Sequence, residues 1–157
     1  MILDVVGDVF TIAAALPTPA VAHGVNTCGV MGAGFAASVR RHWPDMFTDY
    51  KNACSSGRLQ PGGLHTWRTA GGGYVFNLAS QDNPGANATL EWIRSSVTEL
   101  DSYTHANNIG AVAMVRIGCR IGGLSWPDVA PVINAATPNL AVLVATPDPK
   151  SHTPRRR

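Results

Sequence analysis

Val21-Ala22-His23-Gly24-Val25-Asn26-Thr27-Cys28-Gly29-Val30-Met31-Gly32-Ala33-Gly34-Phe35 runs a short, mostly apolar strand straight into a glycine-rich loop, and residues 35–42 then read as a helix. The same order recurs downstream. Residues 111–117 form an apolar strand, Gly118-Cys119-Arg120-Ile121-Gly122-Gly123-Leu124 forms a second glycine loop, and residues 126–136 read as a helix with Pro127 in its first turn. A loop that follows a strand and opens a helix presents backbone N–H groups and a helix N-terminus to a ligand, which favours an anion. Two such loops in one small chain would close on one diphosphate from opposite sides, because glycine lets the backbone approach phosphate oxygens.

Outward from these loops the remaining elements alternate. Residues 2–10 are a β-branched run broken at Gly7-Asp8, a first strand ending at a polar turn. Pro44 suits the first turn of a helix over 44–54, which Ser55-Ser56-Gly57 stops. Residues 64–69 and 74–78 flank Gly71-Gly72-Gly73 as adjoining strands, and Asn83-Pro84-Gly85 is a turn. Leu90, Ile93, Val97, Leu100 and Tyr103 fall at helical spacing, predicting the longest amphipathic helix over 89–107, and residues 140–146 are a last buried strand. Nearly continuous apolar strands alternating with helices indicate an α/β domain with both sheet faces covered. Residues 147–157, rich in Pro and Arg, read as a flexible tail.

The composition narrows the function. The 157 residues carry a formal +2, but Lys150, Arg155, Arg156 and Arg157 lie in the last eight; residues 1–149 hold eight basic against ten acidic residues, a net −2. That balance argues against a broad electrostatic nucleic-acid surface and leaves room only for a narrow site. Cys28, Cys54 and Cys119 form no C-x-x-C pair, and the five histidines show no ligand spacing, so no metal or cofactor is expected. Only Lys51 and Lys150 are lysines, which leaves amine-based covalent catalysis almost without candidates. No apolar run spans a membrane and the start lacks signal-peptide character, so a cytoplasmic, monomeric protein is expected. The dinucleotide fingerprint fits Gly32-Ala33-Gly34-Phe35-Ala36-Ala37 only by force, since the loop reads G-x-x-G-x-G and no residues remain for a substrate domain.

The stretch Val25 to Ala36, followed by Arg116-Ile117 and the second loop through Leu124-Ser125-Trp126, resembles the macro domain family. The likeness is to the branch containing the terminal ADP-ribose protein glycohydrolase and the antitoxins that remove ADP-ribose from thymidine in DNA. Gly7-Asp8-Val9 resembles the family's early Gly-Asp-Ile element, and the resemblance covers residues 1–146. It implies a three-layer α/β/α sandwich with a mixed central sheet, holding ADP-ribose across the strand ends. By resemblance, Asp8, with Val9, would meet the adenine, and Asn26 would hold the distal ribose. Gly29, Val30, Met31, Gly32, Ala33 and Gly34 would wrap the diphosphate and distal ribose. Gly118, Cys119, Arg120, Ile121, Gly122, Gly123 and Leu124 would cover the diphosphate from the other side.

Departures from the family bear on mechanism. Where the branch carries a lysine after the strand at 74–78, this chain has Gln81, which cannot form a Schiff base; the glycohydrolase's second-loop aspartate corresponds to Gly122. What remains is attack by water on the anomeric carbon, with Asn26 fixing the ribose, Gln81 orienting the substrate and Asp82 as general base. Asp82 equally reads as the cap of the turn at Asn83-Pro84-Gly85. The resulting expectation is hydrolysis of an ADP-ribosyl ester on protein or of a thymidine adduct on DNA, with ADP-ribose and the modified macromolecule as partners. The alternatives are a phosphatase acting on ADP-ribose 1″-phosphate and a reader module that binds ADP-ribose without turnover.

Overall fold

The computed structural model describes residues 1–148; residues 149–157 of the expected tail lie outside the described residues. The chain order is β1 (Ile2–Val6), α1 (Val9–Ala14), β2 (Ala20–Val25), α2 (Gly34–His42), α3 (Pro44–Ser55), β3 (Leu64–Arg68), β4 (Tyr74–Ala79), α4 (Leu90–Ala106), β5 (Ala111–Met114), a 3₁₀ turn (Arg120–Gly122), α5 (Trp126–Ala136) and β6 (Ala141–Thr146). One six-stranded sheet runs β1-β6-β5-β2-β4-β3. Every neighbouring pair is parallel except β3 with β4, so the sheet is mixed.

Alternation along the central strands builds the two outer layers. Ala20 and Ala22 of β2, with Phe76, Leu78, Met114 and Val142, face Ile93, Val97 and Leu100 of α4 and Val129 and Ile133 of α5. The intervening residues face the other way: Val25, Val75 and Ala79 meet Val39, Met46 and Tyr50 of α2 and α3, while Val21 and Ala113 meet Val9 and Ala13 of α1. Strands buried on both faces have to be apolar at most successive positions, which is why β2 and β4 read as hydrophobic runs broken by the polar His23 and Asn77. The three-layer sandwich with a mixed sheet is therefore the observed architecture.

The structure moves two boundaries. The first strand stops at Val6, at the expected Gly7-Asp8 turn, and the boundary that is new is a helix over the rest of the run, which Asp8 caps: its Oδ2 accepts from the Thr11 backbone N–H at 3.0 Å. A satisfied first turn outweighs the strand preference of Val9. The strand expected through Ile117 ends at Met114; Val115 N still bonds Ala22 O at 3.4 Å, and Val115, Arg116 and Ile117 line the cavity described below. The helix over 90–106 is capped by Thr89, whose side chain accepts from Trp92 N at 3.1 Å. Among the described residues, no helix is long and apolar enough to cross a membrane.

Candidate functional site

A cavity of about 710 Å³ opens where β2, β5 and β6 end, between the two glycine loops. The loops meet across it: a β-carbon built on Gly34 would lie 3.2 Å from Ile121 Cδ1. Val30 and Ile121, exposed apolar side chains, sit one on each loop at its edge. Gly29, at φ +78° and packed against Lys51, and Gly118, at φ +74° with Ile93 Cδ1 2.7 Å from where a β-carbon would stand, need glycine for both conformation and space.

The electrostatics suit an anion. Arg116 and Arg120 line the cavity, and among the described residues no aspartate or glutamate lines it. Helix α2 starts at Gly34 with no side-chain cap on its first N–H groups, leaving that positive end for a ligand. Arg116 lies with its guanidinium carbon 5.5 Å from the Trp126 ring centroid, and both side chains border the cavity. Arg120 has φ 57°, a left-handed conformation in a non-glycine residue at the second loop.

Asn26 is the most firmly held polar group in the cavity. Its Oδ1 accepts from Cys28 N at 3.0 Å and from Val30 N at 3.4 Å, and its Nδ2 donates to Val30 O at 2.8 Å. Buried Tyr50 donates its hydroxyl to Asn26 O at 2.6 Å and lies 3.1 Å from Oδ1. Burial, with the neighbouring Cys54 thiol, pushes the Tyr50 phenol well above its ordinary range, so it stays a donor. One of Asn26's two amide hydrogens remains for a ligand hydroxyl.

The expected site residues fall into two groups. Asn26, Val30, Met31, Gly32, Ala33, Gly34, Gln81, Gly118, Cys119, Arg120, Ile121 and Gly122 all line the cavity. Gln81 sits opposite the second loop, its Oε1 3.5 Å from a β-carbon built on Gly122, while its Nε2 donates to Asn83 O at 2.8 Å. Asp8, Val9, Gly29, Asp82, Gly123 and Leu124 stand outside the lining. Asp8 is exposed at the start of α1, next to Gly7, whose N–H bonds Thr146 O at the cavity's β6 end; Val9 is buried in the core beneath α1. Asp82 Oδ1 accepts from the neighbouring Asn83 N at 2.8 Å, and its carbonyl ties down Thr27 N at 3.2 Å.

Sequence reasoning missed Tyr50, Arg116 and His23 as parts of this site. Nothing in residue spacing links Tyr50 to Asn26 across 24 positions. His23 left a signal, a polar residue inside an apolar strand, and such a residue has to find partners when buried. A second groove, about 680 Å³, lies on α2 and α3 with Arg40, Arg41, Phe47 and Lys51 along it, and Lys51 packs on Gly29 of the first loop. Burial pushes the Cys54 and Cys119 thiols up, away from nucleophilic character.

Comparison with known proteins agrees with this geometry. The macro domain family model matches residues 22–133. A Mycobacterium tuberculosis (strain ATCC 25618 / H37Rv) relative named DNA ADP-ribosyl glycohydrolase is 33% identical over 115 residues, covering 71% of this chain and 33% of the relative. The chain thus spans about a third of the length of that curated relative. The macrodomain of Mycobacterium tuberculosis DarG superposes with a TM-score of 0.80 at 29% identity, covering 94% of this chain and 99% of that one. Thermosipho africanus DarTG in complex with ADP-ribose shares the fold, with a TM-score of 0.79 at 20% identity, over 94% of this chain and 42% of that one. Six strands in this order, two glycine loops closing on one cavity and a family match across most of the chain show that it belongs to the macro domain family.

Proposed function

We propose that this macro domain binds ADP-ribose in the cavity between its two loops and hydrolyses the bond joining ADP-ribose to DNA, without a lysine. The observation that carries the reading is the cavity itself: facing backbone loops, Arg116 and Arg120, and no lining carboxylate among the described residues. A diphosphate would lie between the loops and the N-terminus of α2, and the distal ribose would reach the free N–H of Asn26. Gln81, beside Gly122, would orient the sugar. The bond from the anomeric carbon to the DNA base would break through an oxocarbenium-like state that the adjoining diphosphate stabilises electrostatically, water would add to that carbon, and the departing base, which keeps the bonding pair, would take the water's proton. Asp82, turned onto Asn83, would hold the loops in register, since its carbonyl anchors Thr27.

DNA is favoured over an acidic protein side chain by the groove of Arg40, Arg41 and Lys51, which adjoins the first loop and suits strand phosphates leaving the distal ribose. The relatives named DNA ADP-ribosyl glycohydrolase support the same reading. The test is calorimetric titration with ADP-ribose followed by turnover on ADP-ribosylated single-stranded DNA and on ester-modified protein. Binding with release from DNA is expected; binding with release from neither substrate would favour a second reading, a module that holds ADP-ribose without turnover. That reading draws on one observation, the lack of any lysine or carboxylate along the cavity among the described residues. Phosphate release from ADP-ribose 1″-phosphate would instead identify a phosphatase.

A further inference from the structure

A chain of polar side chains crosses the sheet and ends at the cavity, and the reaction proposed above does not use it. Asp49 Oδ2 lies 2.6 Å from His65 Nε2, His65 Nδ1 lies 2.8 Å from Asn77 Nδ2, and Asn77 Oδ1 lies 2.5 Å from His23 Nε2. His23 is 1% exposed, Asn77 0% and His65 7%, whereas the Asp49 side chain is 42% exposed. The chain therefore starts at the surface and finishes at the cavity, whose lining includes His23, edge-on to the Phe35 ring at 5.6 Å.

The protons along it can be assigned in order. A carboxylate only accepts, so His65 Nε2 donates to Asp49. Asn77, with Nδ2 toward His65 and a second N–H toward Met46 Sδ at 3.3 Å, turns its oxygen to His23. An amide oxygen also only accepts, so His23 Nε2 carries the hydrogen. Burial pulls His23 down to about pKa 4 and keeps the ring neutral, which leaves Nδ1 with a bare lone pair. Among the described residues Nδ1 has no hydrogen-bond partner, and it is the one buried side-chain nitrogen or oxygen of which this is true. An amide link transmits orientation, not a proton, so the chain is a tautomer lock and not a proton wire.

We infer that His23 is a ligand-contacting residue at the cavity floor whose Nδ1 accepts a hydrogen bond from an O–H or N–H of the bound nucleotide sugar, with Asn77, His65 and Asp49 holding the tautomer that makes this available. The inference rests on the ADP-ribose reading. The diphosphate has no donor at neutral pH, so the donor is a ribose hydroxyl or the adenine amino group.

Long-range proton–nitrogen correlation of the imidazoles in the ¹⁵N-labelled full chain tests it, with calorimetry on the same sample. The free protein is expected to show His23 with hydrogen on Nε2. Saturating ADP-ribose is expected to move Nδ1 toward the hydrogen-bonded range and leave His65 in place. A shift with ADP and none with ribose 5-phosphate puts the donor on the adenosine half; the reverse puts it on the distal ribose. His23→Phe should weaken ADP-ribose by about 3- to 10-fold, and Asp49→Ala, outside the cavity, should give a mixed His23 tautomer. Hydrogen on Nδ1 in the free protein, or measured heat of binding with Nδ1 unmoved, would overturn the inference and leave the ADP-ribose reading standing. No heat at all would overturn both.

Discussion

Asn26 shows how one side chain can serve fold and ligand together. Three of its bonds shape the first loop and Tyr50 fixes its position, so its remaining N–H is oriented before any ligand arrives. Asn26→Ala should weaken ADP-ribose by about 10- to 100-fold in calorimetry, the cost of losing a ligand contact and leaving buried loop amides unpaired. Gln81→Ala should instead lower turnover and change affinity little, because its fixed contact is with Asn83 O and its task is orienting the sugar. His23 adds a pH dependence to stability. Burial holds its folded pKa at about 4, below the 6.5 of a solvated imidazole, so the unfolded chain binds the proton more readily. The stabilisation from a neutral His23 is complete above about pH 6.5 and is lost as pH falls toward 4, by about 3 kcal/mol in total. Urea midpoints measured between pH 7 and 4 should drop accordingly, and His23→Phe should flatten that slope.

Helices α2 and α4 divide the labour between site and scaffold. The first turn of α2 is left without a side-chain cap where the cavity begins, while Thr89 caps α4 on the far side of the sheet. A cap at a ligand-binding terminus would occupy the N–H groups that an anion needs. Thr89→Ala should cost about 1 kcal/mol of stability and leave ADP-ribose affinity unchanged. Leu100, fully buried from α4 against the sheet, should cost about 2–5 kcal/mol on truncation to Ala and lower the melting temperature by roughly 5–15 °C in calorimetric scans.

Across the whole molecule, charge is gathered and not spread. The described chain has few cations, yet Arg116 and Arg120 meet in the cavity and Arg40, Arg41 and Lys51 meet in the groove beside the first loop. Turnover of ADP-ribosylated DNA should therefore fall as salt rises, and the pair Arg41→Ala with Lys51→Ala should slow it several-fold while ADP-ribose affinity holds. An unchanged rate with both charges removed would remove the groove from the substrate path. Much of this architecture was legible beforehand. Apolar runs at residues 21–25 and 111–114, a 3.6-residue period in α4 and glycine at the two strand-to-helix joints are local properties, and each element forms close to where its own residues place it. Two short-range preferences conflicted at Val9, and the Asp8 cap prevailed over β-branching. What local pattern could not carry was partnership across the chain: Tyr50 on Asn26, Thr27 on the Asp82 carbonyl, and His23 joined through Asn77 and His65 to Asp49. Those pairings exist because a parallel sheet sets β2 beside β4 and packs α3 over both, so long-range distance and burial, which no window of neighbouring residues contains, decided which polar groups met.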